Sequence, residues 1–160
     1  MLFLKHQVLD LEDIVYVMMP AESLRREGIK GMVSRLERCA ARCDKSERAL
    51  CLIAFCAARR EQIAVGISNS EIHAEHDPLI QNQRWLYLEN AVKTRFEGPL
   101  THIEDGILSL KEYLKANDLR AATSVYGVFI SGVDGQDENR EVILDIYVGI
   151  DKNVQLNSLM

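Results

Sequence analysis

The sequence predicts an α+β fold made of two strand–helix–strand–strand (βαββ) repeats related by a pseudo-two-fold axis. Three observations support this prediction. The expected elements follow each other in the same order in both halves, short stretches of the halves match, and the strands alternate between an aliphatic and a more polar face. We therefore expect an antiparallel sheet with both helices on one side and a groove on the other.

The first half begins with an expected strand at 11–19, which is followed by a helix. Apolar residues in this helix recur at steps of three, four or eight, which makes one apolar stripe. The stripe consists of Leu24, Met32, Val33, Leu36, Ala40 and Cys43. Two more strands are expected at 49–58 and 62–68, because both stretches are rich in β-branched and other apolar residues.

The second half repeats this order, with strands expected at 84–96, 124–131 and 141–150. Its helix is expected to open at "THIE", where Thr101 caps the helix and Glu104 completes a capping box. Asn117 and Asp118 mark the expected end. One face of this helix carries Ile103, Ile107, Leu110, Lys111 and Leu114.

Two short matches link the halves. "LEDIV" at 11–15 matches "LENAV" at 88–92, and "IAVGIS" at 63–68 matches "IYVGID" at 146–151. The separation is greater for the second pair, which we attribute to a longer hairpin loop at 132–140. We expect one compact domain whose parts are a first repeat at 1–70, a linker at 71–83, a second repeat at 84–152 and a C-terminal tail at 153–160.

Alternation along the last strand predicts its two faces. Leu144, Ile146, Val148 and Ile150 point one way, and Ile143, Asp145, Tyr147 and Gly149 point the other. The aliphatic face should lie under the helices, which cover one side of the sheet. The second face is then free to form a groove where the repeats meet.

The 160-residue chain has a formal net charge of −5 and a pI near 5.4. Because binding to phosphate backbones needs a basic surface, this charge predicts no nucleic-acid partner. No apolar run approaches the roughly 20 residues of a membrane span, and acidic residues near the start argue against a signal peptide. We therefore expect a cytoplasmic protein without a membrane partner.

The sequence predicts no cofactor and no metal. Its cysteines are expected to be reduced thiols that pack as small apolar residues. They are Cys39, Cys43, Cys51 and Cys56. The sequence contains none of the motifs for nucleotide binding or the commonest hydrolytic motifs.

Longer stretches of the chain resemble the GyrI-like family, a duplicated βαββ domain that also serves as the effector-binding module of multidrug-responsive transcription regulators. The resemblance covers about residues 3–151 and rests on "RFEGPLTHIEDGILSLKEYLKAND", "VYGVFIS" and "VILDIYVGI". Family members commonly carry an acidic residue on the last strand, facing the ligand cavity, and Asp145 stands at the matching position. The resemblance implies a stand-alone module that binds a hydrophobic or cationic small molecule between the repeats.

A second similarity implies a different role. "LYLENAVKTRFEG" together with "VYGVFISG" is similar to a group of Firmicute domains of unknown function encoded near LXG-type toxin and secretion loci. This similarity implies a non-enzymatic accessory protein with a protein partner. The basic face of the first helix, from Arg25 to Arg42, or a sheet edge would then be the docking surface.

Asp145 is the main candidate for a ligand-binding residue. A carboxylate in an aromatic cleft is costly unless it meets a cation, and aromatic rings attract cations further. We expect Tyr147, Tyr126 and Trp85 to supply these rings. Gln62, which matches Asp145 in the earlier repeat, is expected to form hydrogen bonds across the groove.

Two alternatives stay open for these residues. In the first, Asp145 faces solvent on a half-exposed sheet, and Tyr126 and Tyr147 are ordinary strand residues. In the second, which the resemblance suggests, Asp145 is the general base of a hydrolase of reactive cyclopropane-bearing compounds, with a tyrosine hydroxyl as donor. Since no recognised motif accompanies the acid, the sequence favours a binding protein over an enzyme.

Overall fold

The computed structural model of the protein describes residues 1–20, 51–55, 62–67, 80–99, 102–131 and 141–151, and of β2 and β3 it describes the backbone only. The elements in chain order are β1 (Phe3–Pro20), β2 (Cys51–Phe55), β3 (Gln62–Ile67), β4 (Ile80–Pro99), α1 (Ile103–Ala116), β5 (Ala121–Ser131) and β6 (Glu141–Ile150). The expected α+β class with an antiparallel sheet is therefore confirmed. The first predicted helix, the 132–140 loop, Cys39, Cys43 and Cys56 lie outside the described residues.

The six strands form one antiparallel sheet that closes on itself in the order β1–β3–β2–β5–β6–β4. The long strands β1 and β4 pair with each other from Phe3, opposite Thr94, to Val17, opposite Ile80. Because of this extended pairing, both strands are longer than the apolar stretches from which the sequence predicted them. Residues 80–83, which the sequence assigned to the linker, therefore belong to β4.

Helix α1 packs on the outside of the closed sheet, against side chains of β4 and β6. Gly106 lies at the point of close approach. A Cβ atom at this position would lie 3.0 Å from Cδ2 of Phe96 and 3.3 Å from Cδ1 of Ile146. Ile146 thus points toward the helix, which agrees with the face predicted for this residue.

A second set of buried side chains includes Val128, which pairs with Asp145 and therefore lies on the face of the sheet opposite to Ile146. Its members are Leu9, Leu11, Ile14, Leu86, Leu88, Ala91 and Val128, which we call the inner cluster. Tyr16, Tyr126 and Tyr147 are partly buried and pack against it. Both faces of the sheet therefore bury apolar side chains.

The start of α1 differs from the prediction, whereas its end agrees. The N-cap is His102, one residue after the expected Thr101, and its side chain makes no capping hydrogen bond. Thr101 itself lies outside the described residues. Ile103, in the first turn of the helix, is buried. The helix ends with Asn117 as C-cap and Asp118 at a positive φ, as the sequence predicted.

Within the parts of the chain that the structure describes, no helix combines the length and the apolarity needed to cross a membrane. The beginning of the chain is anchored to α1 and to β4. The ring of Phe3 stacks on Tyr113 with centroids 4.4 Å apart, and the Thr94 hydroxyl donates a 2.8 Å hydrogen bond to the Leu2 carbonyl.

The strand order is unchanged when β1, β2 and β3 are exchanged for β4, β5 and β6, as the predicted repeat requires. The register is less simple. In the first half, Val15 pairs with Ile67. The two sequence matches make Val92 the equivalent of Val15 and Ile150 the equivalent of Ile67, so Val92 is expected to pair with Ile150. Val92 pairs with Val148 instead. If the halves are equivalent, one match is therefore displaced by two residues, a shift that preserves the faces. The repeat and its axis stay a prediction.

The close approach at Gly106 leads to the first testable prediction. Gly106→Val should lower the free energy of unfolding by about 1–3 kcal/mol, because its side chain must displace buried Phe96 and Ile146. Urea denaturation followed by circular dichroism measures this change. Leu108→Val is the matched control, since it places the same β-branched residue at an exposed position of α1. Equal stability losses in the two variants would contradict the packing.

Candidate functional site

Asp145 lies in the middle of β6 and is buried, with 3% of its surface exposed. Its neighbour Ile146 faces α1, so alternation directs Asp145 to the inner face of the sheet. The interpretation of Asp145 as a solvent-facing residue is therefore wrong. A buried carboxylate is costly unless it is paired and hydrogen-bonded, and the neighbouring strand supplies these partners.

Two cations from β4 bind the Asp145 carboxylate. Arg95, which pairs directly with Asp145 across the strands, donates hydrogen bonds from Nε to Oδ1 at 2.8 Å and from Nη2 to Oδ2 at 3.2 Å. Lys93 Nζ lies 3.3 Å from Oδ2. The side chain of Arg95 is 49% exposed and that of Lys93 22%, so the cluster reaches solvent through Arg95.

Opposing effects set the protonation of Asp145. Burial raises the pKa of this carboxyl, but hydrogen bonds from Arg95 and Lys93, together with their positive charges, outweigh burial and hold the pKa below its usual value. The hydrogen bond to Asp145 is in turn the main cause that raises the pKa of Arg95. Asp145 is therefore a carboxylate at neutral pH.

Two tyrosines complete the surroundings of the carboxylate. Tyr126 and Tyr147 pair across β5 and β6, and both pack against the inner cluster. Val128 pairs with Asp145 itself. Lys93 Nζ lies 5.7 Å from the centroid of the Tyr147 ring, within the range of a cation–π interaction. The structure thus brings one carboxylate, two cationic side chains and two aromatic rings together beside an apolar surface.

Of the five predicted site residues, the structure brings together Asp145, Tyr126 and Tyr147. Trp85 lies apart from them. It is ten positions before Arg95 on β4, about 33 Å of strand length away, and it is 56% exposed. Gln62 begins β3 and pairs with Pro20, and its side chain lies outside what the structure describes.

Sequence reasoning missed Lys93, Arg95 and Tyr16. A signal for the two cations exists in "VKTRF", where both alternate with the apolar or small residues of one strand. It becomes informative only once β4 is known to pair with β6 in the register that sets Arg95 opposite Asp145. Among the described residues, no group of three or more His, Cys, Asp or Glu side chains is arranged to hold a metal.

No protein-family profile matches the chain, and no curated protein matches it significantly. Solved structures do. The crystal structure of the EcmrR C-terminal domain is 13% identical, with a TM-score of 0.65 over 95% of this chain and 99% of that domain. This chain has the fold of that domain. At such low identity the similarity establishes the fold alone.

Two further structures have the same fold. EcmrR in a cryo-EM structure of an EcmrR–DNA complex is 14% identical with a TM-score of 0.64, and the match covers 94% of this chain and 58% of that longer one. A hydrolase from Listeria innocua is 6% identical with a TM-score of 0.54, and 92% of this chain and 93% of the hydrolase are covered.

The paired carboxylate leads to a prediction for pH. Since the folded-state pKa of Asp145 lies below the usual value of about 3.9, its contribution to stability is present above that value and is lost as pH falls through the folded pKa. Asp145→Asn should cost about 1.5–3 kcal/mol at pH 7, and the cost should shrink toward pH 2. Urea denaturation between pH 2 and 7 measures both.

Glu141→Gln is the matched control, because Glu141 is an exposed acid on the same strand. Its stability should follow the wild type at every pH. A stability difference between wild type and Asp145→Asn that stays constant down to pH 2 would show that the carboxylate charge contributes nothing.

Proposed function

We propose that this chain is a small-molecule binding module and that its site is the inner face around Asp145, Tyr126 and Tyr147. The observation that carries the proposal is a buried, ionised carboxylate next to partly buried aromatic rings and an apolar cluster. Binding sites for small molecules commonly combine an apolar lining with a few convergent polar groups. The fold shared with the EcmrR C-terminal domain supports the proposal.

The ligand that suits this site is hydrophobic and cationic. A buried carboxylate must keep a positive partner, and Arg95 is the exchangeable one because its side chain is half exposed and can turn into solvent. Lys93 is more buried and remains beside Tyr147. The incoming cation takes the place of Arg95, and the tyrosine rings and the inner cluster contact its apolar part.

The opposite wall of the ring is proposed to contribute Gln62. In the ring order, β3 and β6 are separated by two strands in either direction, so they face each other across the interior. This placement agrees with the GyrI-like interpretation, in which a ligand lies between two repeats. We include the pseudo-two-fold relation of the halves in the proposal.

Hydrolysis is a weaker candidate function. Its support is the fold shared with the hydrolase from Listeria innocua. A general base needs a pKa near the working pH and a free lone pair directed at water. Both carboxylate oxygens of Asp145 instead accept from cations, and its pKa is lowered. Binding therefore fits this carboxylate better than proton abstraction.

A matched pair of dyes tests the proposal. Rhodamine 6G is a cation and fluorescein an anion with a related ring system, and dye fluorescence anisotropy measures the binding of each. We expect rhodamine 6G to bind and Asp145→Asn to weaken it about tenfold or more, a change of about 1.4 kcal/mol. Arg95→Gln should strengthen rhodamine 6G binding, because it removes the competing cation.

The control is again Glu141→Gln, which removes an exposed acid from β6 and should leave rhodamine 6G binding unchanged. Binding of rhodamine 6G that is indifferent to Asp145→Asn would disprove the role of the carboxylate. Tighter binding of fluorescein than of rhodamine 6G would show instead that Lys93 and Arg95 select an anion.

A further inference from the structure

The outer face of the β1–β4 pair carries exposed aromatic rings surrounded by carboxylates. We call this surface the aromatic–acidic patch. It consists of Val8, Asp10, Glu12, Trp85, Tyr87 and Glu89, all of which are exposed. On both strands these residues alternate with members of the inner cluster, such as Leu11 and Leu86, so they point away from the interior.

The aromatic part of the patch is ordered despite its exposure. Trp85 and Tyr87 are 56% and 45% exposed, and their rings stack with centroids 5.0 Å apart. The indole Nε1 of Trp85 donates a short hydrogen bond to Asp10. Large aromatic side chains exposed together mark interaction sites, and a ring pair held in place loses little entropy when a partner docks.

The charges of the patch are arranged around these rings. Asp10 lies opposite Tyr87 and Glu12 opposite Trp85 in the strand pairing, and Glu89 follows on β4. Each of the two strands contributes patch residues over five positions, which corresponds to about 13 Å. Such a surface offers several carboxylates in a row beside two π-faces, so it complements a partner that carries several positive charges.

We propose that the aromatic–acidic patch docks a basic segment of a partner protein, with Lys or Arg side chains over Trp85 and Tyr87 and with further positive charges on Asp10, Glu12 and Glu89. Arginine and lysine bind the faces of Trp and Tyr through cation–π attraction. A row of carboxylates adds electrostatic steering and favours a segment with spaced cations over a single small cation.

A second copy of this chain is a poor occupant. An isologous dimer places the same surface on both sides of the interface, so the carboxylates of two patches would face each other. Like charges across an interface cost several kcal/mol. The patch is also independent of the Asp145 site, because it lies on the other face of β4 and some ten positions along the strand.

Trp85 is the only tryptophan of the chain, so its fluorescence reports on the patch directly. The full chain is titrated with an octapeptide of alternating arginine and leucine, and with one of alternating glutamate and leucine. We expect a saturable change in Trp85 emission with the arginine peptide only. Glu12→Lys should weaken this binding at least fivefold while keeping the hydrogen bond from Trp85 to Asp10.

Two matched controls distinguish specific binding at the patch from effects of net charge and from nonspecific apolar binding. Glu112→Lys makes the same charge change at an exposed position of α1 and should alter the affinity less than twofold. Tyr87→Ala should weaken peptide binding at least fivefold at constant charge, whereas Leu108→Ala, at another exposed apolar position, should not. Circular dichroism melting verifies that each variant is folded.

Three results would overturn the proposal. Equal affinity for the two peptides, or equal weakening by Glu12→Lys and Glu112→Lys, would show that the patch has no preference for a basic segment. Self-association of the wild type in sedimentation that Tyr87→Ala abolishes would assign the patch to a second copy. Without a change for the arginine peptide, a saturable emission change with rhodamine 6G that Tyr87→Ala abolishes and Asp145→Asn leaves intact would assign it to a small cation.

Discussion

The ion pair between Asp145 and its two cations on β4 is the interaction on which the site depends. A carboxylate in the middle of β6 is tolerated because Arg95 stands directly opposite and Lys93 stands one pair further along the same face. This arrangement fixes the register of β4 against β6, since a slip by one residue would set the carboxylate against an uncharged neighbour and turn it to the other face. The charged group is therefore a constraint on strand pairing as well as a candidate for binding.

Strand β6 is buried on both of its faces, and this explains why an acid could be accommodated there at all. One face holds Ile146 against α1, where Gly106 allows the helix to come close. The other face holds Asp145 and Tyr147 beside the inner cluster. Packing on both faces holds the side chains of a strand in place, and side chains held in one geometry lose little entropy on binding. Arg95, which the proposal treats as the exchangeable partner of Asp145, reaches solvent.

Local periodicity predicted the elements well but could not predict their partners. The six strands, the end of α1 and the face of Ile146 follow from alternation and from turn residues, which act within a few positions. The pairing of Asp145 with Arg95 joins residues that lie 50 apart, and no local pattern encodes it. Trp85 shows the same limit. Trp85 and Arg95 have the same parity, yet a register shift between Leu88 and Ala91 turns the strand over, so their side chains lie on opposite faces.

The same shift divides β4 into two chemically different parts. In the part of β4 before the shift, outward positions carry Trp85 and Tyr87 next to the carboxylates of β1. In the part after the shift, inward positions carry the two cations that pair with Asp145. A cation approaching the outer part meets carboxylates that lie in solvent, where attraction is weak and additive, so binding there favours a partner with many charges. In the proposed inner site a ligand cation displaces Arg95 from Asp145, so apolar contacts must supply the net free energy of binding. Under the two proposals, one acidic chain selects cations by charge number on one face and by hydrophobicity on the other.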